Sequence, residues 1–188
     1  MAAAVGGNFS NSLDAAISAR PQREVSLSAF AFLFSEMVNY SQNRSLSVDD
    51  MQRRLEHAGR GVGHKMLELQ CWREKQGKLD GKRINKREDL LTFISTNMWK
   101  AMFGKSADSL ERSTNSEEEY MIYEAGPITN QFISVPADMG NFNCAAYLAG
   151  IISGMLESAN FPAKVTAVDT TTGDEGGAAS TVYLIEFT

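Results

Sequence analysis

The sequence predicts an α+β domain in which helices pack with antiparallel strand pairs. Apolar residues recur at helical spacing in the first half of the chain, whereas the second half holds short strand-like runs around one helix rich in small residues. Apolar residues make up 43% of the 188 and charged residues 22%, values that suit one globular core. We expect a flexible N-terminal arm over residues 1–23 and a single domain over residues 24–188.

The first predicted helix follows Pro21 in the segment EVSLSAFAFLFSEMVNYSQ. Its apolar side chains share one broad arc on a helical wheel: Leu27, Phe30, Ala31, Leu33, Phe34, Met37 and Val38. Phe32 falls on the opposite side, beside Ser35 and Glu36. A large aromatic among polar neighbours indicates a second burial surface. We therefore predict that Phe32, Ser35 and Glu36 belong to an interface.

Two further helices are predicted before the strands. Ser47 is a predicted N-cap for the segment that contains Gly59, Gly61 and Gly63. Three glycines in a helix each cost about 1 kcal/mol against alanine, so they indicate a close backbone approach or a helix break. The third helix, DLLTFISTNMWKAMFG, is predicted to end at Gly104.

Four strands are predicted in two pairs, one on each side of the last helix. The first pair is EYMIYEA with QFISVP, separated by turn residues, and the second is AKVTAVDT with TVYLIEFT. The stretch KSADSLERSTNSEEE before them is read as polar loop. The helix NFNCAAYLAGIISGMLE lies between the two pairs.

Cys144 in this last helix is either a nucleophile or a packing residue. The helical wheel places it in the apolar arc, and a buried free cysteine behaves as a small hydrophobe. A thiol nucleophile also needs a base, and the two histidines, His57 and His64, are distant in sequence. The residues therefore favour packing over catalysis.

Small residues recur on the other side of the same helix. Ala146, Gly150 and Gly154 are four residues apart and form a ridge with almost no side-chain bulk. We predict that this ridge allows another backbone to pack closely, so that the helix is sandwiched between two layers.

Composition and motifs exclude several functions. A net charge of −5 gives no basic footprint for nucleic acid, and no apolar run approaches the roughly 20 residues that span a bilayer. The N-terminal residues lack the pattern of a signal peptide. The glycine triplet lacks phosphate-loop spacing, and two histidines make a poor metal site. We expect a cytoplasmic protein with no catalytic residues, no metal and no cofactor.

The segment from Arg73 to Arg87 carries seven Lys or Arg residues against two acids. It is interpreted as a solvated loop, and the alternative is a patch that makes peripheral contact with acidic membrane lipids or binds an acidic partner.

Several phrases resemble a known family. The segments ARPQREVSLSAFAFLFSEMVNYSQ, GVGHKMLELQCWRE, MWKAMFGKSADSLE, FISVPADMGNFNCAAYLAGII and NFPAKVTA are similar to the small core subunits of the transport protein particle (TRAPP), of the subunit-five type. The resemblance runs from about Ala19 to Val168 and continues more weakly to the last strand.

The resemblance implies a non-catalytic scaffold subunit of a vesicle-tethering complex in ER-to-Golgi traffic. Its implied partners are other small TRAPP subunits, including an acylated paralogous subunit and a longin-type subunit. Through the complex it meets a Rab GTPase, for which the core is a guanine-nucleotide exchange factor, with contacts made mainly by other subunits. The implied location is cytoplasmic, peripherally associated with Golgi and ER membranes.

One departure concerns acylation. The paralogous subunit carries an acylated cysteine just before its third helix, whereas the corresponding stretch here, GKRINKRED, has none. We expect Phe93, Met98, Trp99 and Phe103 to fill the equivalent interior. The alternative function is a module of the same fold that binds a hydrophobic small molecule or lipid.

Overall fold

The computed structural model describes residues 25–76, 84–114, 116–170 and 180–187. The helices are α1 (Leu27–Arg44), α2 (Val48–Gln76), α3 (residues 87–103) and α4 (Ala146–Ser158). Helix α3 contains a π-helical segment, Ile94–Met98, between Arg87–Phe93 and Trp99–Phe103. The strands are β1 (Ser109–Arg112), β2 (Glu119–Ala125), β3 (Ala163–Thr170) and β4 (Ser180–Phe187), and Ala137–Met139 forms one 3-10 turn. Within the described ranges no helix is both long and apolar enough to cross a bilayer.

The strands form one antiparallel sheet in the order β1-β2-β4-β3. In the central register, Ile185 of β4 lies between Tyr120 of β2 and Val165 of β3. These three side chains are buried and pack with residues of α2, α3 and α4 in the main core. Because alternate strand residues point to the same face, the helices cover one face of the sheet. The α+β class is confirmed.

The predicted pairing of the strands is wrong in one respect. Residues 131–136, QFISVP, are not a strand, and β2 pairs instead with β4 and with Ser109–Arg112. Gly126, with φ of 65°, turns the chain away after β2, and Ile133 packs against the cluster under α1. β1 was not predicted from the sequence because it is a short edge strand whose charged side chains, Glu111 and Arg112, are exposed.

The predicted helix ends are confirmed at two positions. The Ser47 hydroxyl accepts a hydrogen bond of 3.2 Å from the Asp50 N–H, as an N-cap does. Gly104 has φ of 76° directly after the last residue of α3, and its N–H donates to the Lys100 carbonyl. A left-handed residue at this position is the usual helix terminator, and glycine adopts it without steric cost.

Glu124 is a carboxylate inside the domain, with a side chain that is only 3% exposed. Its Oε2 accepts a hydrogen bond from the Tyr183 hydroxyl, and its Oε1 lies 3.7 Å from Lys105 Nζ. Burial raises the pKa of Glu124 above its usual value, and the Lys105 charge opposes that shift. The folded protein therefore holds a proton on Glu124 more tightly than the unfolded chain does.

We expect Glu124→Gln to remove part of the pH dependence of stability. Relative to this variant, the wild-type free energy of unfolding should fall as the pH rises from about 4.5 through the raised pKa of Glu124. The reason is that over this pH range the unfolded chain loses the Glu124 proton while burial keeps it on the folded protein. Denaturant unfolding from pH 4.5 to 8 measures the difference. Glu117→Gln is the control, because the Glu117 side chain is 94% exposed. Parallel curves for wild type and Glu124→Gln would contradict the prediction.

Candidate subunit interface

Helix α1 packs on the rest of the domain through one face. Phe34 and Val38 are buried against Met51 and Leu55 of α2, in a cluster that also contains Phe142 and Cys144. This face corresponds to the centre of the apolar arc predicted from sequence. It is separate from the main core beneath the sheet, so α1 is held by a small cluster of its own.

The opposite face of α1 leaves large apolar side chains in solvent. Phe32 is 78% exposed, Leu33 73% and Tyr40 55%, and Ser35 and Glu36 are exposed beside them. Sequence reasoning singled out Phe32 but placed Leu33 in the apolar arc of the helix and did not identify Tyr40. Leu33 and Tyr40 are seven residues apart and therefore share a side of the helix. This seven-residue spacing is the feature of the sequence from which the shared side of Leu33 and Tyr40 could have been predicted.

A groove of about 420 Å³ runs between α1 and α2 beside this face. Met37 and Tyr40 line it from α1, and Arg53, Arg54 and His57 line it from α2. Tyr40 belongs to both the groove and the exposed face, so the two surfaces are continuous. The wall from α1 is largely apolar, whereas the wall from α2 is mixed, because Asp50 lines the groove beside the two arginines.

One acid in the groove is already paired. Arg54 Nε donates a hydrogen bond of 3.2 Å to Asp50 Oδ2. This bond lowers the pKa of Asp50 below its usual value, so the carboxylate stays charged at neutral pH. Arg53 also lies 3.7 Å from Asp50, although it is largely exposed and remains accessible to a partner.

Helices α2 and α4 approach through glycines on both sides. A Cβ placed on Gly150 would lie 2.0 Å from the Glu56 carbonyl oxygen, and one on Gly154 would lie 2.2 Å from that of Arg60. From the side of α2, a Cβ on Gly59 would lie 2.0 Å from the Tyr147 carbonyl oxygen of α4.

The glycine contacts define the register of the two helices. Gly63 faces Ile151 as Gly59 faces Tyr147, so a step of four residues along α2 matches a step of four along α4. The two helices therefore run in the same direction. Residues spaced four apart on α2 pack against residues spaced four apart on α4. Gly61 has nothing within 4 Å of its Cβ position. Helix α2 is unbroken, and two of its three glycines permit a close approach. Ala146 is buried at the start of α4.

Cys144 is placed where packing governs its chemistry. It lies in the turn before α4, is 2% exposed, and contacts the cluster beneath α1. Burial raises the pKa of the Cys144 thiol to about 12, with a smaller contribution from the Asp169 charge. The thiol is therefore protonated at neutral pH, which opposes a role as a nucleophile.

The two histidines occupy different sites. His57 lies in the groove between α1 and α2. His64 Nδ1 lies 2.5 Å from Ser158 Oγ, and its Nε2 lies 3.4 Å from Glu157 Oε2. Ser158 follows Gly154 by one helical turn, so this polar contact continues the register of the glycine rows. Ser158 lies at the C-terminal end of α4, where the negative end of the helix dipole disfavours negative charge on its Oγ. This position therefore opposes a role for Ser158 as a nucleophile activated by His64. The contact is a polar link between the two helices.

Together, the fold and this surface define an α+β domain with an exposed apolar helix face. Comparison with known sequences gives the family. The family model described as "Transport protein particle (TRAPP) component" matches residues 30–188, and the chain belongs to this family.

Several relatives are trafficking proteins. The chain is 47% identical to trafficking protein particle complex subunit 5 of Dictyostelium discoideum over 144 residues, which cover 77% of this chain and 75% of the relative. It is 44% identical to the human protein of the same name over 149 residues, covering 79% and 77% respectively. The predicted resemblance to TRAPP small subunits of the subunit-five type is confirmed.

A solved structure supports the fold. Trafficking protein particle complex subunit 3 from Naegleria fowleri, covalently bound to palmitic acid, superposes with a TM-score of 0.68. The match covers 86% of this chain and 95% of that chain at 18% sequence identity. At this identity the likeness shows the shared fold.

Proposed function

We propose that the chain is a non-catalytic scaffold subunit of a TRAPP vesicle-tethering complex in ER-to-Golgi traffic. In this role it binds neighbouring small subunits, an acylated paralogue and a longin-type subunit among them. The assembled core acts as a guanine-nucleotide exchange factor for a Rab GTPase, and the complex associates peripherally with Golgi and ER membranes from the cytoplasm.

One observation carries the proposal: three large apolar side chains, Phe32, Leu33 and Tyr40, stand in solvent on one helix. A protein that acts alone gains nothing from such a face, because exposed contiguous apolar surface promotes association. Membership of the TRAPP family supplies the class of partner. The raised pKa of Cys144 supports a role without thiol chemistry.

The alternative is a module that binds a hydrophobic ligand. The observation in its favour is the structural neighbour, which holds palmitic acid. In this chain the interior beside α3 is filled by Ile94, Met98 and Trp99, each no more than 1% exposed, with Phe93 and Phe103 partly buried around them. The filled interior and the absence of a cysteine in GKRINKRED favour the scaffold role.

Co-expression with the other small TRAPP subunits tests the proposal. We expect a complex of defined stoichiometry, measured by size-exclusion chromatography with light scattering and identified by mass spectrometry. The wild-type chain purified alone serves as the control for self-association. A chain that stays monomeric with every small subunit, and carries a fatty acid in native mass spectrometry, would support the alternative instead.

A further inference from the structure

The sheet has apolar side chains on both of its faces. Its two central strands contain continuous runs of apolar and aromatic residues, YMIY at 120–123 in β2 and VYLI at 182–185 in β4. Burial alternates along β2, but polarity does not follow it. An antiparallel sheet with one face in solvent alternates apolar and polar residues, whereas continuous apolar runs are typical of strands covered on both faces. The central strands therefore indicate a cover on the face that the helices leave open.

This open face, the side of the sheet away from the helices, holds an apolar patch. Tyr123 of β2, Val182 of β4 and Val168 of β3 lie side by side in the register, and Met121 pairs with Leu184 in the next row. None of the five belongs to either core cluster of the described residues. Val168 is 46% exposed, Val182 is buried, and the other three are partly exposed. The patch spans three strands and lies outside both cores.

Acidic residues border the patch on the side of β1. Glu111 lies opposite Met121, and Glu119 precedes Met121 by two residues on β2, so both point to the open face. Neither carboxylate forms an ion pair with a residue of the described ranges. Among the strand residues on this face Lys164 is the only base, and its Nζ lies 3.2 Å from Glu186 Oε2. The strand residues of the open face therefore carry a net negative charge.

The size of the patch favours one helix as its cover. The patch extends about 10 Å across three strands and about 7 Å along them. A helix is about 10 Å wide and covers such an area. A second sheet stacked here would also cover the charged row of Glu119, Glu186 and Lys164, and burial of these charges costs free energy.

We infer that the open face of the sheet binds an amphipathic helix of another subunit, with Lys or Arg residues beside its apolar stripe. The stripe covers the patch, and the basic residues complement Glu111 and Glu119. The inference rests on the proposed scaffold function, to which it adds a second binding surface. α1 packs on α2, α2 on α4 and α4 on the sheet, so these layers separate the open face from the exposed face of α1. One chain can therefore hold two subunits at once.

A second copy of this chain is a less suitable occupant. The apolar helix face that it offers is that of α1, where Glu36 lies exposed beside Phe32. This acid would meet the acidic border of the patch. Contacts between two different faces would also link copies into open-ended chains.

Photo-crosslinking in the co-expressed complex of small TRAPP subunits tests the inference. Photoreactive benzoylphenylalanine replaces Val168 in one sample and Phe32 in a parallel sample, since both side chains are exposed. We expect the residue at position 168 to cross-link to a different subunit from the one that position 32 captures. The cross-linked peptide, sequenced by mass spectrometry, should have apolar residues at i, i+3 and i+4 with Lys or Arg beside them.

Three results would overturn the inference and leave the scaffold function standing. They are no cross-link from position 168 in a complex that does form, a cross-link to a second copy of this chain, and a cross-link to a segment without helical apolar spacing or basic residues. Failure to form any complex would overturn both the inference and the scaffold function.

Affinity measurements supply a second test. Val168→Glu should weaken binding of the subunit captured from position 168 by about tenfold or more, because it places a charge in an apolar contact beside two acids. Its affinity for the subunit bound at α1 should change less than about twofold, and Phe32→Glu should show the reverse pattern. Val168→Thr keeps the branched shape and should weaken the sheet contact less than about threefold. Equal losses from Val168→Glu and Val168→Thr would contradict a charge-sensitive apolar contact.

The charge of the partner helix has its own measurement. Glu111→Gln should lower the association rate constant about threefold at low salt, and the difference should disappear near about 0.5 M salt. Glu68→Gln is the control, because Glu68 is exposed on α2, on the helical side of the domain. Equal association rates for the two variants would contradict a basic partner helix.

Discussion

Replacing Gly150 with leucine is expected to abolish folding of the domain. A side chain at this position meets the backbone of Glu56, with the Cβ 2.0 Å from the carbonyl oxygen and 2.8 Å from the Cα. Backbone atoms of a helix cannot move aside as a flexible side chain can. Even Gly150→Ala should lower the free energy of unfolding by about 3 kcal/mol or more, because the two helices must separate. Denaturant unfolding followed by circular dichroism measures the loss.

Gly61→Leu is the matched control for this prediction. Gly61 lies in the same helix pair, on α2, but a Cβ there has no neighbour within 4 Å. Leucine should leave stability unchanged or raise it by up to about 1 kcal/mol, because leucine favours the helix more than glycine does. Equal stabilities of Gly150→Leu and Gly61→Leu would show that α2 and α4 are not in close contact. Cys144→Ala should cost only about 1 kcal/mol, the effect of a small cavity.

The helix pattern was predictable because it depends on local spacing. The apolar period, the Ser47 cap and the left-handed Gly104 are all read from residues within one or two turns of each other. The ridge at Gly150 and Gly154 was also visible as a spacing of four. Its partner was not, since Gly59 and Gly63 lie about ninety residues earlier, and no local pattern connects two glycine rows.

The sheet was less predictable because pairing is a non-local property. β2 and β4 pair across an intervening loop, helix and strand, and each has the alternation of a strand that could join many partners. QFISVP has the same local signal but follows a turn that takes it to the surface of the α1 cluster. The exposed face of α1 was predicted only in part for a related reason. Leu33 has the same apolar character whether it faces a core or a partner, and only the packing of α1 decides between them.

Phe32→Glu should weaken assembly with a neighbouring small subunit by about thirtyfold or more, and the isolated chain should remain folded. Phe32 is 78% exposed, so the free protein gains little from its burial and loses little when a charge replaces it. At an interface, loss of a buried aromatic anchor costs about 2 kcal/mol or more. Affinity measured by calorimetry, together with the melting temperature of the isolated chain, separates these two effects.

Leu33→Glu distinguishes the two locations that sequence and structure give for this side chain. If Leu33 faced the core, as the helical wheel predicts, a buried glutamate would unfold the isolated domain. Because Leu33 is 73% exposed, we expect the melting temperature of the isolated Leu33→Glu domain to stay within about two degrees of wild type. Its affinity for the neighbouring small subunit should fall as for Phe32→Glu. Val168→Glu is the control, since Val168 is 46% exposed on β3, away from α1. If all three variants assemble as wild type does, the exposed face of α1 is not the site at which the subunits meet. Loss of assembly for the two α1 variants alone would identify this face as the interface.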